Sequence, residues 1–320
     1  FRLVGSEMCI RDRKVLLPRL GITTTFVDPD DPKNFTDALQ ENTRLFFAES
    51  LGNPKLDVLN LKGISREAKS ANVPFMVDST LATPALQNPI AHGVNIVIHS
   101  LTKYANGNGS TMGGVIVDAG NFDWSSGKFP EFTTPSDGYH GLVLHDVLGP
   151  AAYIAKVRIE GLRDLGAAIS PFNAFQIIQG LETLEIRMKK HSENALALAE
   201  WLEAHEDVAW VNYPGLKSSK YNELAKKYLP EGQSGLLAFG LKGGFDAGKT
   251  LADETKLFAL VANFGDSKSL VIHPASTTHQ QLTPEEQAST GVTPDLIRLS
   301  VGLENVEDLK ADLQQAFDKI

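Results

Sequence analysis

A single cysteine, Cys9, stands among the 320 residues. No internal disulfide can form, and a cytoplasmic setting suits that count. Long apolar runs are missing too: none approaches the ~20 residues that a membrane-spanning helix needs. Basic charge is scarce, with 30 Lys and Arg against 39 Asp and Glu, a net charge of −9. No basic stripe offsets this, which argues against nucleic acid and anionic membrane as partners. The eight histidines show no metal-ligand spacing; His273 and His279 flank Pro274, no cysteine supports them, and they read as structural. No Gly-x-Ser-x-Gly elbow is present, so a serine hydrolase has no support. Repeats and low-complexity tracts are absent as well. What remains is ordinary for a globular protein, 42% apolar and 22% charged residues, in a chain long enough for two domains around real cores.

The opening segment, FRLVGSEMCIRDR, has neither helical nor strand periodicity and lacks the apolar centre of a signal peptide. Its string LVGSEMCIRD resembles the translation of a transposase adapter used to prepare shotgun DNA libraries. Residues 3–13 therefore read as a sequencing scar, Cys9 included, and residues 1–13 are set outside the fold. On this reading the natural chain starts near Lys14 and is an internal fragment of a longer protein.

From Val15 onward, short β-rich runs alternate with helical stretches. Thr43–Ala48 (TRLFFA), Val73–Val77 (VPFMV), Asn95–His99 (NIVIH) and Gly114–Val117 (GVIV) read as buried strands. Between the first two, Leu61–Asn72 carries apolar residues at 61, 64, 68 and 71, the spacing of an amphipathic helix. This alternation predicts right-handed crossovers and an α/β fold with a mainly parallel sheet. Residues 120–149 hold Gly, Pro, Trp and Tyr with little period, as in FDWSSGKFPEFTTPSDGYHG; their aromatics predict an ordered excursion. A helical zone over Pro150–His205 contains the predicted domain boundary near Gly180, giving domains 14–180 and 181–320. VAWVNY at 208–213 and LLAFGLK at 236–242 read as strands, and helices are predicted near 246–260 and 305–318.

Functional groups collect at the carboxyl ends of parallel strands. Asn53 follows FFAESLG, Asp78 follows VPFMV, and Ser100-Leu101-Thr102-Lys103 follows NIVIH. Asp78 would thus face the same crevice as Lys103. Pyridoxal phosphate (PLP) requires such a set: an amine for a Schiff base, a carboxylate at its ring nitrogen and donors around its phosphate. Each residue alone has a plainer reading. Lys103 could be a solvated surface charge, Asp78 a helix cap, and Ser100 and Thr102 turn residues. Order and placement favour the cofactor, but spacing alone leaves both accounts open. The glycines of GNGSTMGG precede the strand GVIV, whereas a dinucleotide loop follows a strand and opens a helix. A tight turn or close backbone approach explains them.

The segments FAESLGNPKLDVLNL, VDSTLATPALQNPIAHGVNIVIHSLTKY and GNGSTMGGVIVD resemble the Cys/Met-metabolism family of PLP-dependent enzymes. The resemblance extends over residues 14–320. GKFPEFTTPSDGYHG, RDLGAAISPFNAFQIIQGLETL, GDSKSLVIHPASTTHQQLT and LIRLSVGLEN are similar to one branch, the O-acetylhomoserine sulfhydrylases (O-acetylhomoserine aminocarboxypropyltransferases). The resemblance implies a PLP-dependent large domain of fold type I, like that of aspartate aminotransferase, followed by a smaller C-terminal α+β domain. It also implies a homotetramer with sites shared between subunits. In SLTKY, Lys103 corresponds to the cofactor-bearing lysine. Asp78 in VDST corresponds to the partner of the ring nitrogen, and Ser100 and Thr102 to hydroxyls at the phosphate. Asn53 in LGNP corresponds to an asparagine near the ring hydroxyl and the substrate carboxylate. Arg298 in IRLSVG and Ser269 in DSKSL correspond to groups that bind that carboxylate, a role that suits the planar arginine fork. The implied reaction is γ-replacement, with O-acetyl-L-homoserine and sulfide giving homocysteine and acetate. Alternatives are cystathionine γ-synthase, a methionine or cystathionine γ-lyase, or a non-catalytic interaction module. The sequence departs from the family in having DST for DNT, and ESLGNP without the further proline of many relatives. It also lacks, before Lys14, the family's phosphate-gripping glycine loop and ring-stacking tyrosine, which predicts weak PLP binding and poor turnover for this chain.

Overall fold

The computed structural model describes the backbone of Arg2–Gly5 and residues 12–283, 285, 287 and 291–320. Two sheets organise these residues. Strands β1 (Arg2–Gly5), β2 (Thr23–Phe26), β3 (Thr43–Glu49), β4 (Phe75–Asp78), β5 (Ile96–Ser100) and β6 (Gly114–Asp118) form the first, in the order β2-β1-β3-β4-β5-β6. Its pairings are parallel apart from β5 with β6. Strands β7 (Val208–Asn212), β8 (Leu236–Leu241), β9 (Ala259–Leu260), β10 (Leu270–Ile272) and β11 (Leu296–Ser300) form the second, in the order β7-β8-β11-β10-β9. Here the pairings are antiparallel except β9 with β10.

The longer α-helices are α1 (Leu61–Ser70), α2 (Pro171–Glu182), α3 (Leu184–Glu203), α4 (Asn222–Tyr228), α5 (Gly244–Glu254) and α6 (Val306–Phe317). Helix α1 starts at Asn60, whose side chain accepts from Gly63 N and so satisfies one of the free amides of the first turn. Its face of Leu61, Ile64 and Ala68 is buried against Phe46, Phe75 and Val77 of the first sheet. Burying side chains of this kind is worth about 1.5–3 kcal/mol for each large one. The same core takes in Leu184 and Met188 of α3, Ala225 and Tyr228 of α4, and Leu236 and Ala238 of β8. It therefore crosses the predicted division at Gly180, which falls within α2. A second core joins Leu237 and Phe239 of β8 and Ile297 and Leu299 of β11 to Leu198 and Leu202 of α3, Leu251 of α5 and Leu313 of α6.

The excursion at 120–149 packs its aromatics inward. Trp124, Phe129 and Phe132 are buried with Ile96 of β5, and Trp124 stacks on Tyr153 at 5.0 Å between centroids. Arg2–Gly5, set outside the fold on sequence grounds, lies as β1 between β2 and β3, paired with both. Ladder bonds are made by the backbone, so four residues without a readable side-chain period can supply them. Residues 6–11, Cys9 among them, lie outside the described residues. Among the described residues, no helix is long and apolar enough to cross a membrane.

Candidate active site

The parallel register brings three strand ends together. Glu49 of β3 pairs with Asp78 of β4, and Asp78 pairs with Ile98 of β5. Past these ends the chain leaves the ladder, and side chains are free to face a common crevice.

Asp78 Oδ1 accepts from Thr80 N at 2.9 Å and Thr80 Oγ1 at 2.6 Å. Thr80 Oγ1 in turn accepts from Ser100 N at 2.8 Å. Thr80 thus joins the Asp78 end of β4 to the Ser100 end of β5. Beside them His99 Nδ1 meets the Ser79 carbonyl at 3.0 Å, and burial holds its imidazole below the ordinary histidine range.

Lys103 lies in the wide helical turn Leu101–Ala105 directly after β5, where its own backbone (φ −92°, ψ −133°) departs from helical geometry. Its Nζ donates to Asn263 Oδ1 and stands 4.6 Å from the centre of the Phe264 ring. Burial, and then the neighbouring charge of Arg298, hold the amine below the usual lysine value. The neutral, nucleophilic form is thereby favoured. Arg298, on β11, donates from Nη2 to Asn263 O at 2.9 Å and from Nη1 to Asn53 Oδ1 at 3.2 Å. Burial lowers its pKa to about 10, and it keeps its charge at neutral pH.

The turn bearing Lys103 is fixed from both sides. Gly265 has φ +77°, and a Cβ there would come within 2.6 Å of Tyr104 N and 3.1 Å of Lys103 Cβ. From α3, the buried Arg187 donates to Tyr104 O at 2.7 Å and Gly180 O at 2.6 Å. Ser267 N and Oγ both reach Gly107 O at 2.7 Å.

The structure thus links Lys103, Asn53 and Arg298 in one hydrogen-bonded group, and Asp78 and Ser100 in a second through Thr80. Thr102 lies between the groups, but its hydroxyl is turned to the Gly113 backbone, at 3.3 Å from the carbonyl and 3.2 Å from the amide. Ser269 is not brought to the group. It is fully buried, donates to Glu304 Oε2 at 2.8 Å and accepts from Gly302 N at 2.8 Å. Asn263, Phe264, Thr80 and Glu49 escaped the sequence reading. Asn263 and Phe264 immediately precede GDSKSL, and a motif extended by two residues would have included them.

The residues fit PLP. A half-buried amine with depressed basicity stands one strand from a carboxylate. Two buried polar atoms, Arg298 Nε and Glu49 Oε1, have no partner among the described residues, as befits a site that receives a polar ligand. Comparison with known proteins agrees. A model of the Cys/Met metabolism PLP-dependent enzymes matches residues 7–318. The chain belongs to this family. It is 52% identical over 312 residues to an O-acetyl-L-homoserine sulfhydrylase of Leptospira meyeri, covering 95% of this chain and 71% of that protein. It is 50% identical over 308 residues to a homocysteine synthase of Schizosaccharomyces pombe, covering 95% and 72%. The fold matches a Campylobacter jejuni crystal structure, described as an O-acetylhomoserine (thiol)-lyase, with TM-score 0.95 and 41% identity over 99% of this chain and 77% of that one. That crystal structure contains a pyridoxyl-modified lysine. The present chain is thus of a PLP-dependent enzyme family with the fold type I architecture.

Proposed function

We propose that the chain catalyses γ-replacement on O-acetyl-L-homoserine, with sulfide as nucleophile and homocysteine and acetate as products. The arrangement of Lys103 and Arg298 around Asn263 carries this reading, because it puts an amine base beside a cation suited to an α-carboxylate. The relatives named for O-acetylhomoserine and for homocysteine support the choice of substrate and product.

Lys103 would hold PLP and afterwards move the substrate's Cα proton. Asp78 would face the ring nitrogen, and Ser100 and Thr102 the phosphate, Thr102 after turning from Gly113. Arg298, aided by Asn53, would bind the substrate carboxylate in its planar fork. PLP, when bound, supplies the electron sink that makes loss of the Cα proton and departure of a Cγ substituent feasible. Orientation and charge come from the protein. Ser269 is left out of this set, its hydroxyl being committed to Glu304 and Gly302.

A second copy is expected to cover α2. Phe172, Phe175 and Ile178 lie along that helix at 67%, 56% and 58% exposure, an apolar stripe that water alone covers poorly. This supports the homotetramer, and the single-cysteine composition supports a cytoplasmic location.

The test is a product assay on PLP-supplemented protein, offering O-acetyl-L-homoserine with sulfide or with cysteine. Homocysteine from sulfide is the expected result. Cystathionine from cysteine as the preferred product would favour a γ-synthase instead, and protein whose visible absorbance shows bound PLP yet gives no product with either nucleophile would overturn the assignment.

A further inference from the structure

Glu49 is a buried carboxyl that the mechanism leaves unused. It ends β3 directly opposite Asp78 in the parallel register, so both side chains leave the same face of the sheet. Only 7% of Glu49 is exposed. Its Oε2 accepts from Asn53 N at 3.1 Å, while Oε1 is buried without a partner among the described residues. Asn53 Oδ1 then receives Arg298 Nη1, Arg298 Nη2 reaches Asn263 O, and Asn263 Oδ1 receives Lys103 Nζ. A continuous chain of contacts therefore runs from Glu49 to the reactive amine.

The groups around Glu49 decide its protonation state. Asp78 faces it from β4 and Asp57 from the loop after β3, both acidic, and Arg13 supplies positive charge from the N-terminal side. An ionised Glu49 would be buried beside the carboxyl groups of Asp78 and Asp57, with few donors among the described residues, a costly combination. Burial first, then Asp78, push its acidity well toward the protonated form.

We propose that Glu49 is a positioning residue held as the neutral acid, which ties Asn53, and through it Arg298, to the end of β3. This rests on the reading of Asp78 as partner of the PLP ring nitrogen. It implies that the neutral side chain matters and that a negative charge at position 49 does not.

Glu49→Gln and Glu49→Ala in the full-length, PLP-loaded protein test it. Three quantities are measured: the pH midpoint of the visible cofactor absorbance, KM against kcat for O-acetyl-L-homoserine, and the infrared difference spectrum of wild type against Glu49→Gln. Glutamine is a neutral isostere, so Glu49→Gln is expected to leave the midpoint and KM within about twofold of wild type. The infrared difference is expected to contain the carbonyl stretch of a protonated carboxyl. Glu49→Ala loosens Asn53 and Arg298, and KM is expected to rise about tenfold with kcat changed far less, the size of one lost charge-assisted contact. A midpoint displaced about tenfold in proton concentration in Glu49→Gln, an ionised-carboxylate band in the infrared difference, or an unchanged KM in Glu49→Ala would each overturn the proposal. Should Glu49→Ala fail to fold, the glutamine variant and the infrared spectrum decide. Absence of a visible cofactor band in wild type contradicts the PLP reading itself, an outcome distinct from a displaced midpoint confined to Glu49→Gln.

Discussion

Lys103, in the turn after β5, and Arg298, on β11, meet on one residue: the amine donates to the side-chain oxygen of Asn263 and the guanidinium to its backbone carbonyl. The two side chains are thereby held on one residue. Arg298 helps to depress the lysine's basicity.

The sign of this coupling gives a first prediction. Replacing Arg298 by Gln removes a positive neighbour, so the charged form of Lys103 becomes easier to form and its pKa rises. In protein stripped of cofactor, the pH at which the amine reacts half-maximally with PLP is expected to move upward. Titrating the rate of cofactor uptake against pH in both proteins checks it; an unchanged or lowered midpoint would show that burial alone sets the lysine.

Ser269 separates two roles. A hydroxyl buried between Glu304 and Gly302 contributes to stability, so Ser269→Ala is expected to cost about 1–3 kcal/mol in urea unfolding and to leave KM for the amino-acid substrate within about twofold of wild type. A substrate-binding serine would give the opposite pattern, with KM raised and the unfolding midpoint unmoved.

Gly265→Ala adds a Cβ where φ is +77° and where Tyr104 N lies 2.6 Å away. Strain of this kind costs about 1–3 kcal/mol, and the displaced backbone adjoins Lys103. Reduced thermal stability together with weaker PLP affinity is expected, measured by calorimetry and by cofactor titration. Loss of stability with PLP affinity intact would show that the lysine turn is not held from this side.

His191 supplies a pH prediction for the fold. Burial lowers its pKa to about 4 from 6.5, so the folded state binds fewer protons than the unfolded one across that interval. Its stabilising share is complete above pH 6.5 and is lost as the pH falls toward 4. Between pH 7 and pH 5 the loss amounts to about 2 kcal/mol. Urea unfolding of wild type and His191→Asn at both values checks it: the difference in pH dependence should shrink in the variant.

The elements that sequence periodicity revealed are those whose neighbours are local. Apolar spacing at 61, 64 and 68 marks α1 because one helix face meets one sheet, and β3 to β6 announce themselves as short apolar runs ended by polar residues. β1 has no such pattern and owes its place to the backbone ladders of β2 and β3. Lys103 and Asp78 stand out as candidates in the sequence because strand ends in a parallel sheet collect functional groups. Asn263 was not, since it lies on an irregular connection and gains meaning only from partners brought by β5 and β11. The family resemblance places Ser269 at the substrate, while in the structure its hydroxyl donates to Glu304, beyond β11, a partner that a local motif does not reveal. Glu49 carried no signal because a glutamate in FFAES reads as the polar end of a strand until its neighbour across the ladder proves acidic too.

The most direct measurement is chemical. PLP-loaded protein is reduced with borohydride, digested and mapped by mass spectrometry, with Lys103→Ala as reference. The account predicts a pyridoxyl label on Lys103 alone, and no label in Lys103→Ala, whose turnover falls by about 10²–10⁴-fold or more with the loss of its base. A label on another lysine, or an unlabelled Lys103 in protein that turns over, would contradict it.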